Sequence, residues 1–226
     1  MSAGRGDHSA PGLRRTAQML LTTAAGCVNA VGYLALGGVF TSVMTANSAL
    51  LGLALAGGYP AVAHLAALAI VAYLVGVALG SKAALGSRQR PPGMRGALVA
   101  EAVVLWAVWV FWLAVGGEPG SAQQATLLAG GSLAMGCQSG GVRIVTGGAQ
   151  TTAYMTGAIT GVVSELVANK QFQKHVALIV VLIPVGAALG GLAIRWARLA
   201  APAIPALLVT AALVVVSRAA PPAKAA

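Results

Sequence analysis

A short polar phrase occurs twice in this chain, each time at the same place within a run of hydrophobic segments. The two copies are residues 37–47 (GGVFTSVMTAN) and residues 147–157 (GGAQTTAYMTG). A duplicated hydrophobic unit with a duplicated polar break is typical of membrane transporters built from internal repeats. The pattern predicts where a solute site would lie and leaves the identity of the solute open.

The composition excludes an ordinary soluble domain. The chain has 226 residues, of which 58% are hydrophobic and 8% charged, whereas soluble domains carry about 25% charged residues. We therefore predict an all-α integral membrane protein. A full membrane span needs about 20 apolar residues. The hydrophobic segments of the chain are 17–37, 42–58, 63–85, 97–116, 122–141, 151–168, 174–197 and 202–217.

The formal net charge of +10 raises the question of a nucleic acid partner. The basic residues fall in short loops and tails, where they orient a protein in the membrane. The chain also lacks the mixed aromatic and basic face that single-strand binders use. The predicted partners are therefore the lipid bilayer and a small solute, without nucleic acid, and homo-oligomerisation is left open.

The two halves of the chain align at an offset of 110 or 111 residues. Five matched pieces keep the same order, which is not expected by chance. This predicts two membrane repeats, at 17–116 and 122–217, flanked by a disordered cytoplasmic tail (1–16) and a second disordered tail (218–226). The matched pieces are 26–30 with 136–140, 37–38 with 147–148, 44–45 with 155–156, His64 with His175, and 76–80 with 186–190.

The same residues carry a family resemblance that covers nearly the whole chain. Residues 28–40 (VNAVGYLALGGVF) followed by 44–47 (MTAN) resemble the opening signature of the YoaK-like bacterial membrane proteins, and residues 135–139 (MGCQS) and 151–157 (TTAYMTG) resemble two later pieces. Asn29, Ala46 and Ser139 depart from the usual Asp, Gly and Asn. The resemblance implies a multi-pass protein of the bacterial inner membrane and a small-molecule transporter.

The distribution of Lys and Arg between the two sides of the membrane distinguishes between possible numbers of spans. Eight full spans would divide the fourteen Lys and Arg residues evenly between the two sides. If segments 42–58 and 151–168 instead enter and leave on one side, only Arg195 and Arg198 lie outside and the other twelve lie inside. We therefore predict six full spans plus two polar, broken or re-entrant helices in inverted repeats. Seven spans remain an alternative.

Polar side chains inside a membrane span are costly unless they have partners or water. The candidate solute-binding residues belong to the two polar segments and to the first span of each half. The alternative is ordinary hydrogen bonding between packed helices. The candidates are Asn29, Thr45, Asn47, Gln138, Tyr154 and Thr156.

Four further residues are candidates for proton or anion coupling. Glu165 is a carboxyl in an apolar segment, with pairing to Lys170 or Lys174 as the alternative. Arg143 precedes the second polar segment, where it could hold an anion, and an ordinary inside-loop charge is the alternative. Histidine side chains can titrate near neutral pH, which makes His64 and His175 candidates, although a lone histidine at a helix start is more often an interface residue. Glu101 is expected to pair with Arg95 or Arg90.

Two other patterns concern packing. Trp106, Trp109 and Trp112 share one helix face, which predicts a stripe facing lipid or the membrane interface. The glycines at 76, 80, 186 and 190 predict close contacts between helices. No metal-ligand spacing occurs, and we predict neither a metal nor a cofactor.

The sequence therefore favours an inner-membrane transporter or permease with a site near the bilayer midplane between two polar helices. The alternatives are a passive channel and a membrane scaffold or partner subunit without transport. An enzyme is disfavoured, because the four acidic residues (Asp7, Glu101, Glu118 and Glu165) form no visible nucleophile–base pair.

Overall fold

A computed structural model describes residues 9–85, 93–146 and 155–219 of the chain. The described residues are helical, without strands. A short 3-10 turn (Arg198–Ala200) precedes the last helix. The α-helices are α1 (Ser9–Ala35), α2 (Met44–Gly57), α3 (Pro60–Leu85), α4 (Arg95–Ala114), α5 (Ser121–Val145), α6 (Met155–Asn169), α7 (Lys174–Trp196) and α8 (Ala203–Ala219).

Four stretches among the described residues are long and apolar enough to cross a membrane. They are α3, α4, α7 and the stretch Arg198–Arg218, which contains α8; α2 is apolar but shorter. These helices expose many large hydrophobic side chains, such as Leu74, Val110 and Val181. A surface of this kind suits lipid rather than water, so the chain is a helical membrane protein.

Close glycine contacts bring helices of the two halves together. In the pair α1–α7, a methyl group on Gly186 would collide with the carbonyl oxygen of Thr23, and one on Gly190 would lie 2.7 Å from that of Cys27. In the pair α3–α5, Gly76 meets the carbonyl oxygen of Leu133 in the same way. Gly80 likewise meets that of Cys137. The predicted glycine contacts are confirmed, and residue numbers rise together in each pair, so both pairs are parallel.

The remaining contacts fix the other helix directions. Ala97 of α4 lies against Gly141 of α5 and Val108 against Gly130, so α4 and α5 are antiparallel. Trp106 contacts Thr210 and Trp112 contacts Arg198, so α4 and α8 are antiparallel as well.

The ends of α1 and α7 and the start of α8 come together, because Val31 packs with Ala193 and Ala201. Helices α1, α4 and α7 therefore run in one direction, and α3, α5 and α8 run in the other. A consequence is that α1 ends and α3 begins at the same end of the bundle, so the connecting residues 36–59 start and finish at that end. The end of α5 and the start of α7 likewise share the opposite end.

The tryptophan stripe is not the lipid-facing surface that the sequence predicts. Trp112 is only 1% exposed and its indole N–H donates to the carbonyl of Arg198 at 2.9 Å. Trp109 donates to the carbonyl of Leu199 and Trp106 to the Thr210 hydroxyl. The prediction is wrong for Trp112, because a buried indole fastens α4 to the turn before α8.

Candidate functional site

The first polar phrase forms a break between α1 and α2. Gly37 and Gly38 follow the end of α1 with φ angles of +93° and +75°, a left-handed conformation that glycine adopts without steric cost. The amide of Gly38 donates to the carbonyl of Tyr33 at 3.1 Å. This closing bond is typical of a helix end of the Schellman type, and it turns the chain back towards the bundle.

After this turn the chain returns along α1. A methyl group at Gly32 would lie 3.0 Å from Thr41 Cγ2 and 3.1 Å from the carbonyl oxygen of Val39. One at Gly131 of α5 would lie 3.1 Å from the same Thr41 carbon. Val39 is fully buried, and Thr41 is 1% exposed. Residues 39–42 therefore lie inside the protein, between α1 and α5.

Asn29 of α1 holds this returning segment. Its Oδ1 accepts hydrogen bonds from the Thr41 amide (3.1 Å), the Thr41 hydroxyl (3.1 Å) and the Ser42 amide (3.0 Å). Its Nδ2 donates to the Ser42 hydroxyl at 2.7 Å. One side chain thus satisfies two backbone amides that no helix or sheet could satisfy here. Asn29 lies six residues before the end of α1, so the break reaches about 9 Å along that helix.

Asn47 holds the same segment from the other side. Its Oδ1 accepts from the Phe40 amide at 3.1 Å, and its Nδ2 donates to the Phe40 carbonyl at 2.6 Å. Asn47 is fully buried in the first turn of α2. Two asparagines therefore bracket residues 40–42, and most of their hydrogen-bonding capacity is used within the chain. Their geometry suits positioning the break more than direct contact with a solute.

The other candidate solute-binding residues lie in different surroundings. Thr45 and Thr156 occupy the first turns of α2 and α6, and both are exposed. Gln138 is 1% exposed within α5. Tyr154 lies outside the described residues. The hydrogen bonds of the described residues join Asn29 and Asn47 through residues 40–42 and do not extend to Thr156.

The coupling candidates are spread over several helix ends. Glu165 accepts a hydrogen bond from Asn169 Nδ2 at 2.7 Å within α6. A contact of 3.0 Å joins His175 Nε2 to Gln18 Oε1, between the starts of α7 and α1. His64, at the start of α3, and Arg143, in the last turn of α5, are exposed. Among the described residues, no three His, Cys, Asp or Glu side chains are grouped to hold a metal ion.

A family described as protein of unknown function (DUF1275) matches residues 17–216. The chain belongs to this family. The DUF1275 match covers both halves and both polar phrases, and the YoaK-like resemblance fits it at the level of the family. No curated protein and no solved structure matches the chain.

Two residues have surroundings in the structure that the sequence does not show. Gly32 is one of 30 glycines in the chain, and only the return of residues 39–41 along α1 shows why it must lack a side chain. Glu101 is expected to pair with an arginine. Glu101 is fully buried, and neither carboxyl oxygen has a hydrogen-bond partner among the described residues; Arg95 is exposed, and Arg90 lies outside the described residues. A carboxyl within an apolar run was the available signal.

Proposed function

We propose that this protein is a bacterial inner-membrane transporter or permease for a small polar solute. In this proposal six helices (α1, α3, α4, α5, α7 and α8) cross the bilayer, and the two polar phrases form re-entrant segments from opposite sides. The observation that carries the proposal is the return of residues 39–42 to Asn29 inside the bundle. Irregular backbone at membrane depth is tolerated only inside protein or beside a water-filled cavity.

The helix directions support the re-entrant arrangement. Since α1 and α3 run in opposite directions, a crossing of the membrane by α2 would leave α3 starting at the wrong side. Helix α2 has 14 residues, a length of about 21 Å, against a hydrocarbon core of about 30 Å. It suits a half-span that begins inside the bundle and returns to the side from which the chain entered.

Inverted repeats account for the helix contacts. Gly76 meets Leu133, and their counterparts 110 residues away around the duplication are Gly186 and Thr23, which also meet. Gly80 meets Cys137, and the counterpart pair is Gly190 with Cys27. Because α1 and α5 run in opposite directions, an axis relating the halves would lie in the membrane plane. Transporters with such repeats bind solutes near the midplane at the repeat interface.

The proposed solute site lies between the first turns of α2 and α6. Asn29 and Asn47 hold the break open, whereas the exposed hydroxyls of Thr45 and Thr156 are free to face a solute. Tyr154 precedes α6 and would contribute from the second segment, and Gln138 would support it from α5. Glu165, Arg143, His64 and His175 keep their proposed coupling roles. A passive channel is the second candidate, because paired broken helices also build pores.

The test begins with the purified protein in detergent and a panel of small polar solutes. A solute that binds the folded state raises the midpoint of thermal unfolding. The stabilising solutes are then followed across proteoliposomes, with empty liposomes and the Asn29→Leu variant as controls. Uptake above both controls supports the proposal. Binding without uptake indicates a scaffold or receptor, chemical conversion of the solute indicates an enzyme, and either result contradicts transport.

A further inference from the structure

Glu101 is a carboxyl enclosed in the middle of the helical bundle. It is the seventh residue of α4, about 9 Å along the helix axis from its start. Its side chain is 0% exposed, and both oxygens lack a hydrogen-bond partner among the described residues. Its neighbours on α4, Leu98, Ala102 and Leu105, belong to the buried apolar core.

The helix contacts show what Glu101 faces. Ala97 lies against Gly141 and Val108 against Gly130, so the antiparallel register places Glu101 opposite Cys137 of α5. The backbone of Cys137 is also where α5 crosses Gly80 of α3. Glu101 therefore sits beside the crossing of α3 and α5.

The cationic groups on the neighbouring helices lie away from this carboxyl. Lys82 on α3, Arg95 on α4, Arg143 on α5 and Arg218 on α8 are at helix ends and exposed. Arg198, at the far end of α4, donates to the carbonyl of Gly117. The residue of α5 opposite Glu101 in this register is Cys137, whose thiol is buried.

Among the described residues, an ionised carboxylate in this place would have no hydrogen-bonding partner. Arg88 and Arg90 lie outside the described residues. Burying an unpaired charge in protein or in the hydrocarbon core is strongly unfavourable. A protonated carboxyl has no net charge and costs far less, about what burial of an unbonded hydroxyl costs. The low-energy form of the packed state is therefore the neutral acid.

We propose that Glu101 is a proton-binding site whose occupancy is tied to the packing of α4 against α5. The proton is held as the O–H of the carboxyl while the two helices are closed on each other. Release of the proton requires water to reach the carboxylate, which requires α4 to separate from α5. If the protein is the transporter proposed above, on which this step rests, this proton is the coupling ion.

Infrared spectroscopy of the reconstituted protein tests the site without any solute. A protonated carboxylic acid has a carbonyl-stretch band separate from that of an ionised carboxylate. At neutral pH we expect one such band in the wild type, complete loss in Glu101→Gln and a displaced band in Glu101→Asp. Glu118→Gln and Glu165→Gln are the matched controls and should keep it.

The outcomes separate the site from the proposed function. If the wild type lacks the band, or Glu101→Gln retains it, the proposed proton site is wrong, whereas the transport proposal is not contradicted. If Glu101→Gln fails to fold, the displaced band expected for Glu101→Asp still tests the site. With a transported neutral solute, coupling of one proton per solute supports a tenfold accumulation ratio per unit of pH gradient. Glu101→Gln should equilibrate the solute without this accumulation, and persistent accumulation would overturn the coupling role.

Discussion

Asn29 Oδ1 accepts hydrogen bonds from both the backbone amide and the hydroxyl of Thr41, each at 3.1 Å, although Asn29 lies in α1 and Thr41 in the break that follows it. This contact holds a buried, non-helical break between α1 and α2. The backbone amides of the break need acceptors because no water is present at that depth. A single amide side chain on the neighbouring helix supplies one for Thr41 and one for Ser42.

Two replacements of Asn29 test whether its side chain is needed as a hydrogen-bond acceptor. In Asn29→Leu two buried amides lose their acceptor, which costs about 1–3 kcal/mol each, so the unfolding midpoint in detergent should fall by many degrees. Asn29→Asp keeps the acceptor oxygens, and the Ser42 hydroxyl can turn to donate to the carboxylate. Asn29→Asp should therefore stay close to the wild type. Equal loss of stability in both variants would contradict the role of Asn29 as the acceptor for the break.

The glycine crossings give a second prediction, on packing. In Gly76→Ala and Gly186→Ala the new methyl group overlaps a backbone carbonyl of the partner helix, and backbone cannot move aside without parting the helices. Overpacking of this kind costs about 1–3 kcal/mol. Both variants should unfold at clearly lower temperature, and by similar amounts if the halves are repeats.

Gly52→Ala is the matched control for this prediction. Gly52 is an exposed helical glycine of α2 with no heavy atom near the position of a Cβ, and Ala favours a helix over Gly by about 1 kcal/mol. The control should be as stable as the wild type or more so. If Gly76→Ala behaves like Gly52→Ala, the close contact of α3 with α5 is wrong.

The proposed re-entrant path of the segment between α1 and α3 predicts which loops face the outside of the cell. We expect single cysteines at Tyr59 and Glu118 to react with an impermeant thiol reagent added to intact cells. A cysteine at Lys82 should react only after the membrane is opened. All three positions are exposed, and the native Cys27 and Cys137 are buried and can be replaced by alanine. A full crossing by α2 would reverse the labelling of all three positions.

The sequence predicts the helices better than their contacts. The predicted segments 63–85 and 174–197 correspond to α3 (Pro60–Leu85) and α7 (Lys174–Trp196), because a long apolar run bounded by polar residues is a local signal. Which face of such a helix is buried is not local information. A membrane helix is apolar all round, so nothing in the periodicity shows that Trp112 packs inward while Val110 faces outward.

The candidate site shows the same division. The polar phrase of residues 37–47 marks the break correctly, since glycines and hydroxyl residues interrupt an apolar run. The partner of each amide depends on the path of the chain after Gly38. Asn29 therefore looks equally suited to a solute and to the backbone until residues 41 and 42 are seen beside it. The burial of Glu101 is not apparent in the sequence, because it comes from α5, which lies later in the chain.

The hydroxyls of Thr45 and Thr156 carry the last prediction, on solute recognition. Thr45→Val and Thr156→Val keep the side-chain volume and remove one hydrogen-bonding group at an exposed position. A lost hydrogen bond costs about 0.5–1.5 kcal/mol. If the protein is the transporter proposed above, each variant should therefore transport the solute several-fold less well while expression and unfolding temperature stay near normal. Thr126→Val, at an exposed threonine of α5 whose hydroxyl donates to the carbonyl of Ala122, is the matched control and should transport normally. Normal uptake by both test variants in proteoliposomes would assign these threonines to helix packing and remove them from the solute site.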